Sequence, residues 1–507
     1  MLLAKSNLIP QIDSYAASVL GIPTIELMQR AARALEREVR AEIKAGSRIV
    51  ILAGKGNNGG DGYALATLLC KDYQVRVVDV FSSGQRSEAG KYYLERYLAF
   101  GGELYKDEEI TDLNDFEAEL IVDAIFGTGF CGDIPRKLKK YSDFLRSSRC
   151  KKLAADVPLG VNSDTGTVDE SFSYSADVTV CLSYAKVGLL SYPAKSCVGR
   201  LVVDNLNLPN DIIEQEFDFD SFALDKELVK TLLPKRADDS NKGSFGKLLL
   251  ITGSDEYRGA AHLSLEAALR LGAGLVHFSA EASLSEELRL KYPEVIYKVN
   301  GRETQEDIDE ILSLGHRMSS ILIGSGTGKS KWLYTLILTL LHSEGCPLIL
   351  DADAINLLSE HREESLSVLK NSGRRVILTP HPLEFARLLN DKVERVQSDR
   401  LTLAKSFAKE YNCILVLKGA ATVVTDGVKI YINTTGSSAL AKGGSGDVLA
   451  GAIASMTAFC DPLLSSAVCV YLHGAAADSL SEELSEFSVI PSDLPREIGR
   501  QIAYLIK

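Results

Sequence analysis

The sequence predicts an α/β protein of two domains with largely parallel sheets, and three observations predict it. Strand-like apolar runs alternate with helical patterns along both halves of the 507 residues, the order that builds strand-helix-strand units. An acidic stretch without sustained apolar period, Ile213 to Lys226, interrupts the alternation and puts the boundary near Phe219, giving domains at 1–218 and 219–507. Each half carries its own glycine-rich loop, GKGNNGGDGY at Gly54 to Tyr63 and AKGGSGDVLAG at Ala441 to Gly451.

In the first half, strands are expected in RIVILA (from Arg48), QVRVVDV, AELIVDAIF, KKLAADV, DVTVCLS and GRLVVDN. The second half restarts with GKLLLITGS at Gly246 and continues with GLVHFSA, SSILIGSG, PLILDAD, RRVILTPH, CILVLKG and the pair ATVVTD and KIYINT. The two halves share a plan but no motif order, which indicates a fusion and not an internal repeat.

Composition bounds the function. With 46% hydrophobic residues the chain can bury substantial cores, and its formal charge of −12 disfavours nucleic-acid binding, which needs clustered Lys and Arg. Nine cysteines without a CxxC pair read as thiols of a reducing compartment, packed in cores. Lys5, Gln11 and Asp13 interrupt any leader-like apolar run, and no later run reads as long enough to cross a membrane, so a cytoplasmic protein is expected.

The first loop follows a strand and opens a helix, the context in which backbone N–H groups approach an anion. Gly54, Gly56 and Gly59 satisfy GxGxxG, and Asp79 ends the next strand where a dehydrogenase would hold a ribose. Asn57, Asn58, Gly59, Gly60 and Asp61 argue against that simple reading, because they bring amide carbonyls and a carboxylate to the helix start. Asp61 is a helix cap in the plainer reading, and Asn58 could offer oxygen to a hard cation. Asp123 and Asp156 end neighbouring strands, where open α/β sheets bind ligands, although such residues often only form turns.

NNGGDG at Asn57 to Gly62, VDAIFGTGF at Val122 to Phe130 and DVPLGVNSDTG at Asp156 to Gly166, with GIPTIELM and KVGLL, resemble the NAD(P)H-hydrate epimerase family over essentially residues 1 to 210. The resemblance implies a Rossmann-like three-layer fold and interconversion of the epimers of hydrated NADH and NADPH. It further implies potassium ligation by Asn58 and Asp123, and contacts to the hydrate from Asn57 to Asp61 and from Gly127, Thr128, Gly129, Phe130, Cys131, Gly132 and Asp133. Asp156 is the expected proton-transfer group. Where the family commonly has DIPSG, Leu159 replaces the serine and offers the cation only a backbone carbonyl; the MENAG-like pattern is replaced by Met28, Gln29, Arg30, Ala31 and Ala32, removing a carboxylate and an amide near the expected substrate.

In the second loop Gly443, Gly444 and Gly446 precede a helical pattern, so free N–H groups and the helix dipole can stabilise a phosphate in transfer. Asp447 sits where a carboxylate can accept a hydroxyl proton. GxGD resembles the ribokinase-like fold. With KGSFGKLLLITGS, RGAAHLSLEAALRLGAGLV, IGSGTG, DADAIN, TPHPLEFARL, KGAATVV and HGAAAD in order, residues 225 to 507 resemble the ADP- or ATP-dependent NAD(P)H-hydrate dehydratase family. That resemblance assigns Ala260, Gly326, His381 and Asp447 to the hydrate, and Lys418, Gly419, Ala420, Ala421, Thr422 and Gly446 to the adenine nucleotide. His473, in an apolar helix, reads as packing.

The implied reactants are the hydrates and ADP, with Mg2+ and, in the first domain, K+; the family implies a homo-oligomer. A ribokinase-like small-molecule kinase with a non-catalytic first domain remains the alternative, and it would release a stable phosphorylated product.

Overall fold

The computed structural model describes residues 1–82, 86–130 and 132–507, so the expected substrate contact Cys131 lies outside the described residues. Contacts divide the chain into two compact units, Leu2–Ser221 and Phe222–Lys507 with Met1.

In the first unit seven strands lie in the order Glu103–Lys106, Gln74–Asp79, Arg48–Ala53, Leu120–Ala124, Lys151–Ala155, Val178–Leu182 and Arg200–Asp204. Every neighbouring pair is parallel. The strands are short runs of Val, Ile, Leu and Ala buried on both faces, as a sheet sandwiched between helices requires. Chain direction across the sheet reverses beside Arg48–Ala53, so the crevice at the carboxyl ends of Arg48–Ala53 and Leu120–Ala124 is the switch point of a doubly wound fold. Ala53 pairs with Ala124 and Asp123 with Ala154, which brings the Gly54 loop, Asp123 and Asp156 to one edge. A short parallel pair, Leu2–Ala4 with Ala185–Lys186, sets Ala4 opposite Lys186.

In the second unit the strands run Ile296–Val299, Leu275–Ala280, Lys247–Ile251, Ser320–Ile323, Leu348–Leu350, Val376–Leu378, Ile414–Leu417, Val423–Thr425 and Ile430–Asn433. They are parallel as far as Ile414–Leu417 and antiparallel beyond it. Ile323 pairs with Leu350, Leu350 with Leu378 and Leu378 with Leu415, so the segments after these strands emerge together.

The helices Arg258–Arg270 and Ser445–Thr457 pack at close range through Gly451, where a Cβ would lie 2.1 Å from the Ser264 carbonyl oxygen. One expectation is corrected here. Helix Pro462–Leu484 is long and apolar enough by length and composition to cross a membrane, but most of it is buried in the core of its unit, which accounts for its apolarity. Every cysteine among the described residues is a free thiol.

Candidate active sites

The Gly54 loop is shaped by close approach. A Cβ at Gly54 would lie 1.9 Å from the Ile125 carbonyl oxygen, and one at Gly59 would lie 1.9 Å from that of Gly54. A Cβ at Gly60 would lie 2.8 Å from the Met28 sulfur, so neither Gly59 nor Gly60 has room for a side chain. The helix begins at Asn57 behind Gly56 with no side-chain cap. Asp61 therefore lies one turn inside the helix and does not cap it.

A cavity of about 490 Å³ opens in front of this loop, and Asn57, Asn58, Asp61, Gly127, Thr128, Gly129, Phe130 and Asp156 line it. Gly132 and Asp133 line an adjoining pocket of about 310 Å³ that shares Gly127 and Thr128. Met28 and Ala31 also face the first cavity, whereas Gln29 lines a separate surface cleft with Glu26 and Arg33. The replacement at Gln29 thus removes nothing from the cavity wall. Asp79 is not available to a ribose, since it is buried in an ion pair with Arg86 and accepts from the Phe81 N–H at 3.2 Å.

Asn58 Nδ2 donates to the carbonyls of Phe126 (2.8 Å) and Ala155 (3.0 Å), while its Oδ1 is buried without a hydrogen-bond partner. Asp123 is fully buried and accepts from Ile125 N (3.1 Å), Leu159 N (2.8 Å) and Tyr174 Oη (2.9 Å). Burial pushes its carboxyl up to about 6, against the pull of these donors. Leu159 thus meets Asp123 through its N–H, while its side chain joins an apolar cluster.

Asp156 follows strand Lys151–Ala155 at φ +65°, a conformation that costs a non-glycine residue about 1 kcal/mol or more. Its Oδ2 accepts from Thr128 N (2.8 Å) and Thr128 Oγ1 (2.6 Å), and its Oδ1 from Leu182 N (3.3 Å) and the Lys186 ammonium. Lys186 is wholly buried and also donates to Leu182 O at 2.7 Å. Burial alone would raise the Asp156 carboxyl, but Lys186 and Thr128 more than offset it and hold it below the usual range. Sequence reasoning missed Lys186 and Asp13 as site residues. Asp13 lines the cavity, and burial, with Asp156 adding and Lys186 opposing, raises its carboxyl to about 6.

In the second unit the expected residues form a second constellation. Gly326, at φ +65°, abuts Ala260, its virtual Cβ 2.6 Å from the Ala260 Cβ. Gly444 adopts φ +104° and starts helix Ser445–Thr457, whose N-terminus has no side-chain cap and leaves N–H groups for an anion. A side chain at Gly446 would meet the Lys418 ammonium at 3.3 Å. Lys418 pairs with Asp351 at 3.0 Å, and Asp351 also accepts from Thr379 Oγ1 (2.6 Å) and Ser325 Oγ (2.8 Å). Asp351 stood inside the DADAIN motif without a role, and its network is what the sequence reading lacked. Ala421, at φ +54°, and Thr422, whose Oγ1 donates to Gly419 O at 2.9 Å, hold the turn after Lys418.

Asp447 lies in the first turn of its helix. Burial, reinforced by Asp351 and opposed by Lys418, raises its carboxyl to about 7. His381 caps helix Pro382–Leu389: Nδ1 accepts from Leu383 N and Glu384 N, both at 3.2 Å, and the His381 backbone N–H donates to Glu384 Oε2 at 2.8 Å. This is the structural role of a turn residue, and the ring remains about half exposed. His473 is buried in helix Pro462–Leu484, as its apolar surroundings predict.

A family model described as YjeF-related protein N-terminus matches residues 24–188, and one described as NAD(P)H-hydrate dehydratase matches residues 248–500. The bifunctional NAD(P)H-hydrate repair enzyme Nnr of Moorella thermoacetica is 33% identical over 96% of this chain and 93% of its own. That of Escherichia coli is 32% identical over 94% of this chain and 90% of its own. The ADP/ATP-dependent NAD(P)H-hydrate dehydratase of Bacillus subtilis, co-crystallised with ATP and Mg2+, is 31% identical with a TM-score of 0.50, covering 55% of this chain and 97% of that one. A ribokinase-like superfamily protein of Enterococcus faecalis, 26% identical with the same TM-score, covers 57% of this chain and 98% of its own. With each half matched by its own model and relatives spanning nearly all of it, the chain belongs to the bifunctional NAD(P)H-hydrate repair enzyme family.

Proposed function

We propose that this chain repairs hydrated NADH and NADPH, interconverting the R and S hydrates in the unit Leu2–Ser221 and dehydrating the S form in the unit Phe222–Lys507 at the expense of ADP, which becomes AMP and phosphate. The observation that carries the dehydration is Asp447, a carboxylate held near neutrality in the first turn of an uncapped helix behind a glycine loop.

Asp447 takes the proton of the hydroxyl on C6 of the hydrated ring as that oxygen attacks the terminal phosphorus of the nucleotide. The N–H groups from Gly443 to Gly446 stabilise the charge that develops on the transferring phosphoryl group. The ring nitrogen then expels phosphate from C6, and loss of a proton from C5 restores the dihydronicotinamide. Lys418, fixed by Asp351, contributes positive charge beside Gly446. Among the described residues no group of three His, Cys, Asp or Glu side chains is placed to hold a metal, which suits Mg2+ carried chiefly by the nucleotide's own phosphates.

In the first unit Asn58 Oδ1, buried and without a donor, fits a ligand for a hard monovalent cation, with Asp123 adding negative charge and K+ the expected ion. Bound there, the ion would supply fixed positive charge at the cavity wall. Leu159, its N–H committed to Asp123, retains a carbonyl for the same purpose.

The test is to incubate the protein with mixed hydrate epimers and Mg2+, with ADP or ATP, and to follow recovery of NADH absorbance. Full recovery with ADP is expected. No recovery with either nucleotide removes the dehydratase reading; recovery that stops when the S epimer is exhausted removes the epimerase reading.

A further inference from the structure

We propose that Asp13 and Asp61 are the proton-carrying pair of the first cavity, and that Asp156 is a positioning residue. The inference rests on the epimerase reading above.

Asp156 is saturated. A carboxylate offers about four lone-pair sites, and Asp156 gives them to Thr128 N, Thr128 Oγ1, Leu182 N and Lys186 Nζ. No acceptor site remains for a substrate hydroxyl. The pairing instead keeps the buried Lys186 from being an uncompensated charge.

Asp13 and Asp61 are the opposite case. They come from different helices, Ile9–Ser18 and Asn57–Leu69, and line the same cavity. Asp61 is only 8% exposed, and among the described residues neither carboxyl takes part in a hydrogen bond or ion pair. Asp61, so buried and so unpartnered, faces the contents of the cavity, and the half-buried Asp13 opens onto the same space.

The charged groups bearing on the pair are Asp156, Lys186 and each other, with Lys55 also on the cavity wall. Burial, then the neighbouring carboxylates, hold the Asp61 carboxyl well above the ordinary aspartate value, which favours its protonated form. Asp13, at about 6, is mostly ionised there. Two unpartnered carboxyls on one cavity wall allow Asp61 to serve as the acid and Asp13 as the base, the division of roles that general acid-base chemistry requires.

The step balances. Asp61 gives its proton to the C6 hydroxyl, the C6–O bond breaks as the ring nitrogen's lone pair forms the C=N bond, and water departs. Water then adds to C6 from the other face and yields a proton to Asp13. The two carboxyls have exchanged protonation states, and turnover of the opposite epimer returns them.

The experiment measures interconversion of the separated R and S hydrates by the full chain, without nucleotide, as a function of pH. For the unsubstituted chain the rate should rise with pH through about 6 as Asp13 ionises. Asp13→Asn should lower it at least about 100-fold and abolish that rise, with Asp13→Glu restoring part of the rate; Asp61→Asn should lower it similarly while still binding the hydrate. Rates within about threefold of the parent, an unchanged pH limb in Asp13→Asn, or loss of hydrate binding in parallel with rate would overturn the proposal. Absence of interconversion in the parent chain, by contrast, removes the epimerase reading itself.

Discussion

At the scale of single residues, three of the site aspartates stand in contrasting states. Asp156 is pinned as an anion by Lys186, Asp123 is buried against N–H donors, and Asp447 is left near neutrality. Asp447 must be ionised to accept a proton, and its raised value means that ionisation is complete only above about pH 7. Dehydration under saturating ADP should therefore climb with pH through about 7, and Asp447→Asn should lower it by roughly 100- to 10,000-fold without that limb. Lys418→Met leaves Asp351 buried without its cation and should cost about 3 kcal/mol or more in urea unfolding of the second unit, besides weakening nucleotide binding. Asp447 and Lys418 were legible because glycine loops announce them locally. Lys186 and Asp13 were not: Lys186 meets Asp156 only because two strands and a loop fold back, and Asp13 sits on a helix whose pattern says nothing of a cavity. His381 adds a role that its sequence context did not announce: its ring nitrogen accepts from a helix N-terminus.

At the scale of elements, glycine decides where helices can approach. Gly451→Ala would drive a methyl into the Ser264 carbonyl, and separation of helices Ser445–Thr457 and Arg258–Arg270 should cost about 1–3 kcal/mol, seen as a lower melting temperature with loss of dehydration. Gly451→Ala with unchanged stability would refute this packing. The buried central strands were readable as apolar runs, whereas Leu2–Ala4, Glu103–Lys106, Ala185–Lys186, Ser221–Leu224 and Ile296–Val299 were not. Several are partly exposed and interrupted by charged residues, as Glu103–Lys106 and Ile296–Val299 are, so no apolar run marks them. Ser221–Leu224 even lies inside the stretch that reads as a linker, because its short apolar run is set among Asp and Phe.

At the scale of the whole molecule, two activities on one chain should be separable by single substitutions. An Asp447→Asn chain given the pure R hydrate should equilibrate it with the S hydrate and consume neither, as followed by chromatography of the two epimers. If the R hydrate persists unchanged, the first unit is not an epimerase. The strand Ala185–Lys186 that carries the site lysine is completed by pairing with Leu2–Ala4, roughly 180 residues away in sequence. Closing so distant a contact is entropically slow relative to local pairing, though its cost grows only with the logarithm of the separation. During synthesis, the Lys186 ammonium can be seated only after the chain has emerged past Lys186, so the first site cannot mature on the N-terminal portion of its sheet alone.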